Sequence, residues 1–316
     1  MITTKKLQED FTFGLNNFLS NYSDSNLFGP IRYLLSLGGK RIRPLLALSV
    51  SNAEGATSEA AMPASLAVEL FHNFTLMHDD IMDNAPLRRG QQTVHEKFSE
   101  NAAILSGDAL FTAAYQAVEL ASPNAMPKLL KILNKTSMEV CDGQQLDLDF
   151  ESIDYVTEKM YLEMIRLKTS VLLAASCSMG AICAGASQKR VDAWYDFGEK
   201  LGLAFQIQDD YLDTFGDENA TGKKVGGDII SDKKTFLFIH ALSAGELPST
   251  DGCDSDEEKI DVIKLAMQSR GSDIAAKNLM KRYSDDAAKS LESLNLDLST
   301  KTWFEELLFS VTERVS

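Results

Sequence analysis

FHNFTLMHDDIMDNAPLRRG, Phe71 to Gly90, runs apolar, then acidic, then basic. Its apolar residues recur at helical spacing and lead into Asp79, Asp80 and Asp83 at i, i+1 and i+4. On a helix Asp79 and Asp83 share one face, roughly 6 Å apart between Cβ atoms. Like charges there repel by about a few tenths of a kcal/mol, and a divalent cation reverses that sign. Hard carboxylate oxygens suit Mg²⁺, which takes one or two protein carboxylates and leaves its other positions to water and phosphate. Pro86 ends the helix, and Arg88 and Arg89 follow with guanidinium forks that match phosphate oxygens.

One acidic cluster of this form is ordinarily a solvated helix face. This chain has two. Asp209, Asp210 and Asp213, in GLAFQIQDDYLDTFGDENATGKK, again close an apolar helical run and precede two cations, Lys223 and Lys224. Solvation does not explain two carboxylate clusters that are each paired with basic residues.

Working outward, the chain has 316 residues, 44 % of them hydrophobic, enough for a substantial core. Its net charge of −15 argues against a nucleic-acid partner held by backbone contacts. Local cations still permit small anionic substrates: Lys40, Arg41 and Arg43; Arg88 and Arg89; Lys223, Lys224, Lys233 and Lys234. The cysteines, Cys141, Cys177, Cys183 and Cys253, form no CxxC and read as free thiols of a cytoplasmic protein. The N-terminus shows no apolar signal segment. Thr169 to Gln188 is uncharged, but its Ser, Gly and Ala content reads as a buried helix and not as a stable membrane insertion.

Helical periodicity runs almost throughout, and period-two alternation is scarce. The pattern predicts helices over 5–20, 27–36, from Ser58 to about Asn84, 101–121, 125–149, 155–186, 188–215, 233–243, 272–294 and 300–314. Pro63 falls in the early turns of the Ser58 helix. Ser255-Asp-Glu-Glu258 has capping-box form and should open a helix to about 269. No strong boundary divides the chain. The expectation is one all-α domain, 1–316, a bundle of long helices around a central active-site cavity.

Other chemistries fit poorly. Gly216 to Lys223 has one residue too many between its glycines for a Walker loop, and Lys224 stands where Ser or Thr belongs. Four histidines and no nucleophile elbow support neither a Ser/His/Asp triad nor a histidine-rich binuclear centre. His72 alone reads as a core histidine, as do His78, His95 and His240, and Gly38 and Gly39 alone read as turn glycines.

Taken together, ordered motifs from Gly38 to Thr235 resemble the trans-isoprenyl diphosphate synthases, or polyprenyl synthetases. They are GGKRIRP (38–44), ELFHNFTLMHDDIMD (69–83), LRRG (87–90), ILSGDAL (104–110), CDGQQLDL (141–148), RLKTS (166–170), FQIQDDYLD (205–213) and GKKVGGDIISDKKT (222–235). The resemblance implies the isoprenoid synthase fold, a homodimer, and Mg²⁺, three ions with the allylic diphosphate bound. It implies isopentenyl diphosphate and allylic diphosphates as substrates. Asp79, Asp83 and Asp209 then look like metal ligands, supported by Asp80, Asp210 and Asp213. Lys40, Arg43, His72 and Arg89 resemble the isopentenyl diphosphate site. Arg88, Lys168, Thr169, Gln206 and Lys233 resemble the allylic site, together with Lys223 or Lys224, of which Lys223 is the better match.

The same resemblance bears on product length. Family members that stop at fifteen carbons with this short acidic motif often carry aromatics four and five residues before its first aspartate. Here those positions are Thr75 and Phe74, with Phe71 two turns back, which resembles the type that makes the twenty-carbon geranylgeranyl diphosphate. Farnesyl diphosphate is the alternative, should Phe71, Met77 or Tyr115 close the floor. A terpene cyclase would lack the second acidic cluster and GGKRIRP, and a non-catalytic subunit would have lost aspartates.

Overall fold

Thr57 is the N-cap of the helix that carries the first acidic cluster, and Ser58 is its first residue, as predicted. The Thr57 backbone is extended (φ −93°, ψ 160°), while the Ser58 hydroxyl accepts a bond from the Asn52 amide at 3.3 Å. The helix spans Ser58–Met82 and runs unbroken past Pro63. Asp83 is its C-cap. The computed structural model describes residues 3–216 and 225–312. Within them the chain is all-α, as the sequence predicts. The one sheet among the described residues is a hairpin of Leu87–Arg88 with Gln91–Gln92.

The chain divides into two compact units, Met1–Lys135 with Ala175–Tyr195, and Thr136–Ala174 with Asp196–Ser316. In the first, the Ser58–Met82 helix packs on Ile42–Ala53 and on Glu100–Glu119. Leu46, Leu48, Leu70, Phe71, Leu110 and Trp194 are fully buried there. The close fit needs Gly107, where a Cβ would come within 2.2 Å of the His78 ring. That ring also lies 3.2 Å from the Ile104 carbonyl, so His78 is structural. The Glu54 carboxylate, on a side chain only 6 % exposed, accepts from Arg190 Nε and Trp194 Nε1, both at 2.6 Å.

The second unit is built around Tyr161, Ile165, Ile207, Phe236, Leu237 and Ile239. The predicted 155–186 helix contains a register change. It forms as Glu158–Ile165, a wide turn at Arg166–Ser170 and Val171–Cys183. The Val171 amide reaches back five residues to the Arg166 carbonyl, the signature of a π turn. Gly198 and Gly202, one turn apart on the Gln188–Phe215 helix, face this segment. A Cβ at either would lie within 2.7 Å of backbone at Ser170, Leu173 or Ala174. Glu158–Cys183 is long and apolar enough to cross a membrane, but 78 % of its most apolar window is buried within the protein.

Helix ends otherwise follow the expected chemistry. Ser255 caps Asp256–Ser269 through the Glu258 amide at 3.2 Å. In return the Asp254 amide donates to Glu258 Oε2 at 2.7 Å, one residue earlier than the standard box.

Candidate active site

Four arginines gather in the first unit. Arg41 takes a left-handed backbone (φ 52°) at the start of Ile42–Ala53 and binds the buried Glu69 carboxylate and the Leu35 carbonyl. Arg43 Nη1 lies 3.2 Å from Nε2 of His72. An arginine only donates, so that nitrogen accepts and the proton sits on Nδ1. Burial, then the fields of Arg43, Arg88, Arg89 and Arg41, hold His72 well below the usual histidine range, and it stays neutral. Burial also brings Arg43 down to about 10.

Arg88 and Arg89 are neighbours in sequence, but the hairpin gives them different tasks. The turn residues Arg89 and Gly90 both have positive φ, 54° and 75°, as a type I′ turn requires. Arg88 lays its fork across Asp80, with three contacts of 2.7 to 2.9 Å. Arg89 turns instead to the Gly38 carbonyl, and a Cβ at Gly39 would strike its guanidinium at 2.7 Å. The four guanidinium groups, countered by Glu69 and Asp80, leave a local excess of positive charge suited to a diphosphate. Lys40 stands exposed beside them.

The aspartates of each cluster are unequal. Asp80 and Asp210, the second of each pair, are buried and bound by the protein itself. Asp210 accepts from the Tyr161 hydroxyl at 2.6 Å and from Gln206 Nε2 at 2.9 Å, while the Gln206 carbonyl accepts from Thr169 at 2.9 Å. Burial foremost, then Asp228, push the Asp210 carboxyl well above the usual range. Asp79 is half-buried, and Asp83 and Asp209 are exposed. The three aspartates that the resemblance marks as metal ligands are thus the more accessible ones beside Asp80 and Asp210. Asp213 Oδ2 accepts the Asp228 amide at 2.8 Å.

The structure adds residues that went unassigned in the sequence. Asp228, inside GKKVGGDIISDKKT, is pushed up to about 6 by burial first and then by Asp213, with Lys233 opposing. Its carboxylate lies 4.0 Å from Lys233 Nζ. Asp147, inside CDGQQLDL, lies 2.6 Å from Lys168 Nζ. Position within a motif was the available signal for both, as it was for Glu69 at the head of ELFHNFTLMHDDIMD, whereas nothing marked Tyr161. Lys223 and Lys224 lie outside the described residues.

The carboxylates fit Mg²⁺. They are hard oxygen donors at the C-terminal ends of long helices, with no basic residue in the last turn, where the helix dipole also favours a cation. Among the described residues no three His, Cys, Asp or Glu side chains form a chelating group.

On the Ser58–Met82 helix, Phe74 contacts Phe71, Phe111 and His78, with centroids 5.5, 5.1 and 4.8 Å away. Phe111 also meets Tyr115 at 5.2 Å. Thr75 adds no bulk, and its hydroxyl bonds the His72 carbonyl at 2.8 Å.

Comparison with known proteins agrees with these features. Residues 24–268 match the polyprenyl synthetase family. A geranylgeranyl diphosphate synthase of Methanosarcina mazei is 39 % identical over 279 residues, 87 % of this chain and 86 % of that one. A crystal structure of a geranylgeranyl pyrophosphate synthase superposes with a TM-score of 0.94 at 40 % identity, covering 100 % of both chains. Another such synthase, from Corynebacterium glutamicum in complex with isoprenyl diphosphate and magnesium, gives a TM-score of 0.87 at 26 % identity, covering 99 % of this chain and 100 % of that one. Motif order, helical architecture and likeness along nearly the whole length converge, and this chain belongs to the polyprenyl synthetase family.

Proposed function

We propose that the protein is a short-chain trans-prenyltransferase that condenses isopentenyl diphosphate with allylic diphosphates and releases geranylgeranyl diphosphate. The observation that carries this reading is the likeness to geranylgeranyl diphosphate synthases along nearly the whole chain, with both aspartate clusters intact. The proposal treats 1–316 as one functional domain. It includes a homodimer, favoured by Leu105 and Leu120 exposed at the Glu100–Glu119 helix, and a cytoplasmic setting, favoured by four free cysteines.

Mg²⁺ held by Asp79, Asp83 and Asp209 would neutralise charge developing on the diphosphate leaving group. Arg88, Lys168, Thr169, Gln206, Lys233 and Lys223 or Lys224 would hold the allylic diphosphate and stabilise the same charge. Lys40, Arg43, His72 and Arg89 would hold isopentenyl diphosphate. The allylic C–O bond breaks to give diphosphate and an allylic cation. The isopentenyl double bond attacks that cation, and the released diphosphate takes the proton then lost, so the chain needs no dedicated base.

The test is mass spectrometry of products formed from isopentenyl diphosphate with dimethylallyl, geranyl or farnesyl diphosphate, with and without EDTA. A C20 product that vanishes with the metal is expected. Hydrocarbon from an allylic diphosphate alone would instead mark a cyclase. The Phe71, Phe74, Phe111 and Tyr115 cluster favours one second reading, a synthase that stops at C15.

A further inference from the structure

Lys168 sits on the π turn Arg166–Ser170, and its ammonium lies 2.6 Å from Oδ2 of Asp147 on the Met126–Ser152 helix. One turn before Asp147 is Gly143. A Cβ there would lie 2.3 Å from the Lys168 amide nitrogen and 2.7 Å from its Cα. Gly143 and Asp147 are at i and i+4, so they share a helix face. That single face therefore supports the Lys168 backbone and also grips the far end of its side chain. At the start of the turn, Arg166 binds Glu163 at 2.8 and 2.9 Å and Glu199 at 3.3 Å, which fixes the turn from a second direction.

We propose that Asp147 is the positioning residue of Lys168, holding its ammonium at one point so that the two remaining N–H donors meet the allylic diphosphate. The inference rests on the reading of Lys168 as a ligand of that diphosphate. A lysine ammonium is a compact charge with three donors on a flexible four-carbon stem. Free in solvent, it must be ordered each time substrate arrives, and ordering beforehand removes that cost. A π turn adds one residue to the helix without breaking it, and such turns recur at functional sites.

The experiment is steady-state kinetics of wild type, Asp147→Asn, Lys168→Gln and the double variant, each substrate varied in turn. Asp147→Asn should raise the allylic KM by roughly three- to tenfold, with little change in the isopentenyl KM. In the Lys168→Gln background it should cost nothing further. An additional loss in the double variant, or equal effects on both substrates, would place Asp147 in the fold or on a cation and overturn the proposal. An unchanged allylic KM in Lys168→Gln also overturns it, and continued product formation then shows that the prenyltransferase reading survives. If wild type makes no prenyl product from any primer, it is that reading which fails. Should Asp147→Asn lose helicity, Asp147→Glu is measured instead: a retained allylic KM supports the charge contact, and a roughly tenfold rise overturns it.

Discussion

The Tyr161 hydroxyl donates to Asp210 Oδ2 at 2.6 Å, so the second aspartate of the second cluster is held by a buried phenol. Gln206 Nε2 binds the other Asp210 oxygen at 2.9 Å. Tyr161→Phe leaves a buried carboxyl short of a donor and should cost about 1–3 kcal/mol of stability. Thermal melts check this. An unchanged melting temperature would mean that Asp210 finds another partner.

The same inequality separates the aspartates by phenotype. Asp79→Ala and Asp209→Ala should remove most turnover while helicity and melting temperature hold. Asp80→Ala should also destabilise the fold, by roughly 3 kcal/mol, because Arg88 loses its buried counter-charge. Activity and melting curves on the three variants decide the point, and near-normal rates in Asp79→Ala would falsify the metal assignment.

Substrate sites should separate in kinetics. Lys40→Ala and Arg43→Ala should raise the KM for isopentenyl diphosphate by about tenfold or more, since charge-assisted contacts contribute roughly 1.5–3 kcal/mol. Lys168→Ala should instead raise the allylic KM. Equal effects on both substrates in every variant would dissolve the division.

His72 predicts a pH dependence of stability. Its folded form resists protonation, so below the ordinary histidine value of 6.5 the unfolded chain binds a proton that the folded chain does not. Its contribution is complete above pH 6.5 and is lost as pH falls, by at most about 1.4 kcal/mol per pH unit. Asp228, pushed up to about 6, works in the opposite sense between its unfolded value and 6. The measurement is therefore the difference between wild type and His72→Gln in denaturant titrations from pH 7 to 5. A difference independent of pH would show that His72 protonates freely.

Product length tests the aromatic cluster. Thr75→Phe should shorten the main product and Phe74→Ala should lengthen it. Phe111→Ala should also lengthen it, because the Phe111 ring backs Phe74 at 5.1 Å. Unaltered products in all three variants would place the floor elsewhere.

The sequence shows helices well because the apolar periodicity that makes them is local. Gln188–Phe215 has the predicted ends. The acidic clusters were legible too, since the spacing of each lies within about one turn of a single helix. What stayed hidden depends on distant partners. Nothing in RLKTS announces a five-residue hydrogen-bond reach, because Gly143, Asp147 and Glu199 that hold the turn lie far away in sequence. The family resemblance set Asp80 and Asp210 apart from Asp79 and Asp209, but their partners, Arg88 and Tyr161, show only in the fold. Phe111 directly follows a quoted motif, yet only the packing of two helices brings it to Phe74.

The bond from Arg89 to the Gly38 carbonyl joins positions 51 residues apart, and Arg43 meets His72 across 29. Helices propagate from local contacts within microseconds, whereas bringing distant segments together costs loop-closure entropy that only long-range contacts offset. The arginine pocket is therefore assembled late along the folding route. A refolding chain should regain its far-ultraviolet helical signal before it regains affinity for diphosphate, and the lag between the two is set by those two clasps.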